Sequence, residues 1–189
     1  EDPHRLAAGT HQGSRRYYFN ANTVVKLYRF DHSRGAYNRE EFARECAVLT
    51  QPPPGFPTPA CRLSGAHGSE GWSVVERLPG RLLLDALREG LAIDHRSLLL
   101  AILSQLVALE TAGLYHGDVR TWNILVTDQG QATLIDYGSI SPLKEDVAWP
   151  GDLFLSFFIL VREVVTGVVD DPSPLRTIAI SPQGLPPSY

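Results

Sequence analysis

An α+β chain in two lobes is the architecture this sequence predicts, and three observations carry the prediction. The first part holds β-branched and aromatic runs broken by one amphipathic segment, and the remainder is mainly apolar helical pattern. A Pro79-Gly80 pair stands between the two regimes and marks the most plausible boundary, giving residues 1–78 as an N-lobe and 79–189 as a C-lobe. The 189 residues suffice for one large domain or two small lobes, and 43% hydrophobic content can supply a core.

The first strand is "TVVKLYRF", Thr23 to Phe30, bounded by Asn20-Ala21-Asn22 and Asp31-His32-Ser33, with Lys26 in its middle. "NREEFARECAVL", Asn38 to Leu49, spaces Phe42, Cys46 and Leu49 by four and three and reads as an amphipathic helix ended by "QPPPGFPTP". "CRLSG" and "WSVVERL" read as two strands joined by a Gly/Ser/His loop, and "PGRLLLDALREG" as a turn and a short helix. "RSLLLAILSQLVALETA", Arg96 to Ala112, is a long helix whose apolar residues cover more than one face, which predicts extensive burial, with Gly113 as its cap. "NILVT" and "ATLID" flank Asp128-Gln129-Gly130 as a hairpin, and "LFLSFFILVREVV", Leu153 to Val165, reads as a buried helix. No internal repeat is visible.

Composition narrows the function classes. The formal charge of −4 argues against an electrostatic grip on nucleic acid. Cys46 and Cys61 have no zinc or disulfide-framework spacing and are expected to be reduced, buried thiols. The apolar run from Leu153 is too short for a bilayer and carries Arg162 and Glu163, so no transmembrane segment is expected. Methionine is absent, and the chain starts at Glu1 without a charged-then-apolar leader, so it reads as a processed product or a cut piece.

The chemistry concentrates in "YHGDVRTWNILVTDQGQATLIDYGSI", Tyr115 to Ile140. Asp, Asn and Gly are ordinary turn residues, but here Asp118 precedes Asn123 by five positions and Asn123 precedes Asp136 by thirteen. "HGDVRTWN" followed by "LIDYG" resembles the catalytic loop and metal-binding motif of the protein-kinase-like phosphotransferases, with Tyr137 in place of Phe. Lys26 and Glu45 have the strand-lysine to helix-glutamate separation customary in that superfamily.

The resemblance implies a two-lobed kinase-like fold, ATP and Mg²⁺ as cofactors, and roles for particular residues. Asp118 would accept or orient the proton of an attacking hydroxyl, and Asn123 and Asp136 would give hard oxygen ligands to Mg²⁺. Lys26 would neutralise phosphate charge and Glu45 would keep that lysine aimed. Arg120 could reach the γ-phosphate or the acceptor. Val74, Val75, Glu76, Arg77 and Leu78 would form the hinge that holds adenine, with Glu76 and Leu78 as nucleotide contacts.

Other readings stand beside these. Glu45 could be a solvated charge paired with Arg39 or Arg44, with Glu40 and Glu41 as rivals for its role. Asp152 could bond to the catalytic-loop backbone or cap its helix. His116 reads as a structural buttress, and Trp122 as core packing in preference to an acceptor contact.

The sequence also departs from the superfamily pattern. Only Gly9 and Gly13 precede the first strand, so the phosphate-covering loop is incomplete, and Ser14 or Arg15 become candidates for phosphate contacts. Fifteen residues separate Asp136 from Asp152 with no Ala-Pro-Glu triplet, and Gly117 replaces the arginine that serves an activation-loop phosphate. Both features argue against an ordinary protein kinase.

They resemble the small-molecule and sugar kinases related to aminoglycoside phosphotransferases. More narrowly, "HGDVRTWNILV" with "LIDYGSI" resembles the kinase domain of bacterial O-antigen chain-terminating kinase/methyltransferases. That resemblance implies transfer of the γ-phosphate to a hydroxyl on a sugar or glycan terminus in lipopolysaccharide biosynthesis, by a cytoplasmic enzyme open to association with the inner face of the membrane through a partner or a further region. A methyltransferase segment is not visible. A Ser/Thr protein kinase with a shortened segment, and a catalytically silent nucleotide-binding module, are the alternatives.

Overall fold

The computed structural model describes residues 14–147, 151–169 and 185–189; the incomplete glycine loop at Gly9 and Gly13 lies outside them. The fold is mixed α+β as predicted, β-rich in its N-terminal part and helical after it. Two compact units divide the chain. One runs up to Leu78 and includes Asp136–Ile140, and the other takes Pro79–Ile135 and everything from Ser141.

In the first unit, strands Arg15–Phe19 (β1) and Thr23–Arg29 (β2) form a hairpin, helix Gly35–Thr50 (α1) follows, and strands Cys61–His67 (β3) and Glu70–Glu76 (β4) form a second hairpin. The four strands make one antiparallel sheet in the order β1-β2-β4-β3. The strand over Arg15–Phe19 was not expected from sequence. Its register sets Tyr17 beside Lys26, while β4 sets Ser73 on the other side of Lys26.

Helix α1 begins earlier than its apolar spacing suggests, and the face it buries differs from the predicted one. Asn38, Glu41, Glu45, Val48 and Leu49 are buried, at helical spacings of three and four, whereas Phe42 and Cys46 are half-buried. Hydropathy misplaced the stripe because three of its five members are polar. Phe42 instead packs its ring against Tyr28 and Phe30, at centroid distances of 5.4 and 5.9 Å. Cys46 and Cys61 are free thiols, half-buried where burial was expected.

The second unit continues with Arg81–Leu82 (β5), Leu83–Arg88 (α2), His95–Thr111 (α3), Tyr115–His116 (β6), Ile124–Val126 (β7), Ala132–Leu134 (β8) and Leu153–Thr166 (α4), and the short strand Ile140–Ser141 (β9) falls where the chain passes from the first unit back to the second. The predicted hairpin forms as β7 and β8, with β5 completing the antiparallel order β5-β7-β8. Asp94 caps α3 by accepting from the Ser97 N–H at 3.1 Å, and Gly113 follows the helix at φ 71°, the left-handed conformation that ends helices. The core is Leu83, Leu98, Ile102, Leu109, Ile124, Leu134, Leu160 and Val164, each at most 1% exposed.

Burial of the two apolar helices is less complete than their composition predicts. Leu100, Leu103 and Val107 of α3 and Phe154 of α4 remain exposed, because only one stripe of each helix meets the core. Among the described residues no helix is long and apolar enough to cross a membrane.

A buried glutamine ties α3 to the hairpin. Gln105 donates from Nε2 to the Ala132 carbonyl at 2.8 Å and accepts at Oε1 from the Leu134 N–H at 2.9 Å, acting on the edge of β8 as a strand neighbour would. Gln105→Leu leaves both backbone groups without these partners and should lower stability by about 2–4 kcal/mol, read as a fall in the urea unfolding midpoint with unchanged slope.

Candidate active site

The superfamily motif residues fall into two groups, one in each unit. Lys26, Glu45, Glu76, Leu78 and Asp136 belong to the first unit, and Asp118, Arg120 and Asn123 to the second.

In the first unit, strand periodicity puts Lys26 and Tyr28 on one face of β2, and the β2–β4 register brings Ser73 beside them. All three side chains converge on Glu45 of α1, which is fully buried. Lys26 Nζ donates to Oε2 at 2.5 Å, Tyr28 Oη donates to the same oxygen at 3.1 Å, and Ser73 Oγ donates to Oε1 at 2.7 Å. Burial by itself would drive the lysine toward neutrality, but Glu45 foremost, with Tyr17 and Asp136, reverses this and holds the ammonium above its ordinary pKa. Burial, reinforced by Glu45, pushes the Tyr28 hydroxyl well above its usual range, so it stays a donor.

The sequence left three glutamates open for this role, and the helix separates them. Glu40 is exposed and lies near Arg44 at 3.7 Å. Glu41 is buried one turn before Glu45, and it pairs with Arg15 of β1. Arg15 also donates from Nε to Asn38 Oδ1 at 3.2 Å, so its guanidinium faces α1, not a phosphate.

The Asp-Tyr-Gly turn packs on the same helix. Asp136 has φ 70° and ψ 61°, a left-handed conformation that Asp tolerates better than most residues, and its Oδ2 accepts from Ser139 Oγ at 2.6 Å. Gly138 approaches α1 so closely that a Cβ would stand 3.1 Å from the Glu41 carbonyl oxygen. The Tyr137 ring lies 5.9 Å from Lys26 Nζ and meets Phe56 edge-on at 6.1 Å. Its buried hydroxyl has no hydrogen-bond partner among the described residues.

The hinge candidates are less engaged. Glu76 is exposed and Leu78 half-buried; the Glu76 carboxylate accepts from the Ala60 N–H at 3.4 Å.

In the second unit the catalytic-loop motif is a tight knot. His116 is buried; its Nδ1 accepts from the Asp118 N–H at 3.2 Å, so Nε2 carries the proton and donates to the Ile135 carbonyl at 2.8 Å. A neutral, structural histidine results. A 3₁₀ turn over Thr121–Asn123 curls back, and Asn123 Nδ2 donates both to the Asp118 carbonyl at 2.9 Å and to Asp118 Oδ2 at 2.8 Å. The backbone of Asn123 accepts from the Ile135 N–H at 2.8 Å, which fastens the loop to the end of β8.

Trp122 does not simply fill the core. Its Nε1 donates to Asp118 Oδ2 at 3.0 Å, and the Arg120 guanidinium lies 5.9 Å from its ring centre. Sequence reasoning missed this bond, and the only available signal was its place four residues after Asp118, one helical turn away. Asp152 caps α4, accepting from the Leu155 N–H at 3.0 Å.

Each unit carries hard oxygen of the kind magnesium takes: in the second, Asn123 commits its amide nitrogen to Asp118 and keeps Oδ1 as an acceptor, and in the first Asp136 carries a carboxylate. Among the described residues no three His, Cys, Asp or Glu cluster as an all-protein metal cage would need. Magnesium does not require one, since it is commonly held by one or two protein oxygens plus substrate phosphates and water.

Two consequences for stability follow. Glu45→Ala strips the mostly buried Lys26 ammonium of its counter-charge and should cost about 3–5 kcal/mol, measured by urea unfolding. Tyr137→Phe removes an unpartnered buried hydroxyl and should leave the thermal midpoint unchanged or higher.

No protein-family model matches the chain. It is 42% identical over 169 residues, 86% of its length, to the O-antigen chain terminator bifunctional methyltransferase/kinase WbdD of Escherichia coli, and it spans 24% of that protein. A crystal structure of WbdD at 2.2 Å resolution aligns over 87% of the chain and 38% of its own, with 38% identity and a TM-score of 0.75. A low-resolution WbdD structure with its C-terminal bundle ordered aligns over 97% of the chain and 39% of its own, with 36% identity and a TM-score of 0.86. The serine/threonine-protein kinase PAK 4 of Mus musculus is 30% identical over 82 residues, 42% of this chain and 14% of that one. Sequence and fold thus agree: the chain is a homologue of WbdD and its fold is that of the protein-kinase-like superfamily.

Proposed function

We propose that the chain is the kinase part of an O-antigen chain terminator and transfers the γ-phosphate of ATP to a hydroxyl on a sugar or glycan terminus. The observation that carries this reading is the buried Lys26–Glu45 pair with two further donors on Glu45, an arrangement costly to build unless the ammonium has a task. Homology to WbdD, one of whose structures contains a kinase inhibitor, supports the nucleotide and the pathway.

In this reading Lys26 binds and neutralises phosphate oxygens while Glu45 prevents the ammonium from swinging away. The hinge around Glu76 and Leu78 takes the adenine. Asp118 accepts the proton of the acceptor hydroxyl as the new phosphate ester forms and the bond from the γ-phosphorus to its bridging oxygen breaks, ADP leaving, and Arg120 steadies charge on the phosphate or the acceptor. Asn123 Oδ1 and the Asp136 carboxylate would hold Mg²⁺, which when bound neutralises charge on the phosphates. The enzyme would work in the cytoplasm, open to association with the inner face of the membrane through a partner or a further region.

The test is incubation with γ-labelled ATP and Mg²⁺ beside glycan and peptide acceptors. Label should enter the glycan; label in peptides alone would establish a protein kinase, and intact ATP throughout would establish a silent module. Asp118→Ala should reduce transfer by about a hundredfold or more while ATP affinity stays within about twofold, measured by equilibrium binding. Asp136→Ala should abolish the dependence of nucleotide affinity on Mg²⁺ in the same titration.

A further inference from the structure

Two carboxylates anchor the motif residues, and they are held differently. Glu45 receives donors on both oxygens and is fully buried. Asp118 is half-buried, and its two side-chain donors among the described residues, Trp122 Nε1 and Asn123 Nδ2, both act on Oδ2, at 3.0 and 2.8 Å.

We propose that Trp122 is a positioning residue for Asp118: its indole N–H, together with the Asn123 amide, occupies Oδ2 and so presents Oδ1 as the oxygen that meets the acceptor hydroxyl. This deepens the kinase reading and rests on it. An aspartate has two rotatable bonds, and one donor can restrain an oxygen without fixing the plane of the carboxylate. Two donors on one oxygen, from the separate side chains of Trp122 and Asn123, restrain it further. The indole suits this task because its N–H only donates, so it cannot itself take the acceptor's proton. Its ring is also large enough to be set by packing, and the Arg120 guanidinium lies against it. Trp122 thereby couples the two side chains that flank the transferred group.

Losing the indole donor leaves the Asn123 amide as the remaining side-chain donor on Oδ2 among the described residues, and so frees the plane of the Asp118 carboxylate to rotate. Trp122→Phe keeps an aromatic ring and deletes the donor. Trp122→Gln keeps an N–H within reach on a smaller side chain.

The experiment compares wild type, Trp122→Phe and Trp122→Gln in the hydrolysis of MgATP, with water as the acceptor. Trp122→Phe should lower kcat about tenfold to a hundredfold, with KM for ATP within about twofold. Trp122→Gln should recover part of kcat. Wild-type kcat in Trp122→Phe would overturn the proposal, as would a Gln variant no better than Phe. Crystal structures of wild type and Trp122→Phe give a reading independent of turnover. A rotated Asp118 carboxylate in the variant supports the indole's role even where wild-type chain hydrolyses no ATP, an outcome that would defeat only the kinase reading; a carboxylate that keeps its plane without the indole overturns the indole's role. Thermal unfolding of each variant confirms that the compared chains are folded.

Discussion

A carboxylate buried without water is tolerable only if every lone pair that faces protein finds a proton, and Glu45 imposes that condition on the first unit. Lys26, Tyr28 and Ser73 must all reach it at once, which fixes the register of β2 against β4 and the rotation of α1 over the sheet. One helical turn earlier, Glu41 repeats the device with Arg15 of β1. The helix is thus pinned at two points on one face, and any roll that relieves one ion pair strains the other. The Asp-Tyr-Gly turn closes on this pinned helix at Gly138, where the absent side chain permits contact with the Glu41 backbone. The position of Asp136 therefore depends on the same polar core that aims Lys26.

In the second unit the order of construction runs from an apolar core outward. Leu98, Ile102 and Leu109 of α3 support β7 and β8, and Gln105 supplies the hydrogen bonds that β8 lacks on that side. From this base the loop is tied twice to Ile135, through the His116 ring and through the Asn123 backbone. Those ties leave the Asp118 side chain half-buried on an anchored loop. Glu45 and Asp118 differ in how many of their oxygens the described residues engage: both in Glu45, one in Asp118.

Departures from the superfamily pattern are accommodated by small local adjustments. Tyr137 takes the place of phenylalanine with its ring edge-on to Phe56, and the added hydroxyl is buried without gaining a bond among the described residues. Trp122 adds a donor to the catalytic-loop aspartate from a 3₁₀ turn. The chain spans 24% of the length of the curated WbdD proteins it matches, so the surroundings of these sites in a longer protein add to what its own residues set.

Element order, the strand around Lys26, the β7–β8 hairpin and the spacings from Asp118 to Asn123 and Asp136 were determined by the sequence alone, because periodicity, turn residues and covalent separation are local properties. The strand at Arg15–Phe19 escaped that reading, and so did the buried face of α1, since buried polar residues are invisible to a hydropathy pattern. Among three glutamates within six residues, the family separation favoured Glu45 over its rivals Glu40 and Glu41, and the fold places Lys26, Tyr28 and Ser73 opposite Glu45. Likewise, a tryptophan beside an asparagine reads as core until a tight turn directs its N–H to a carboxylate. Which polar group satisfies which is a long-range matter, decided by register and helix rotation, and only tertiary structure sets those.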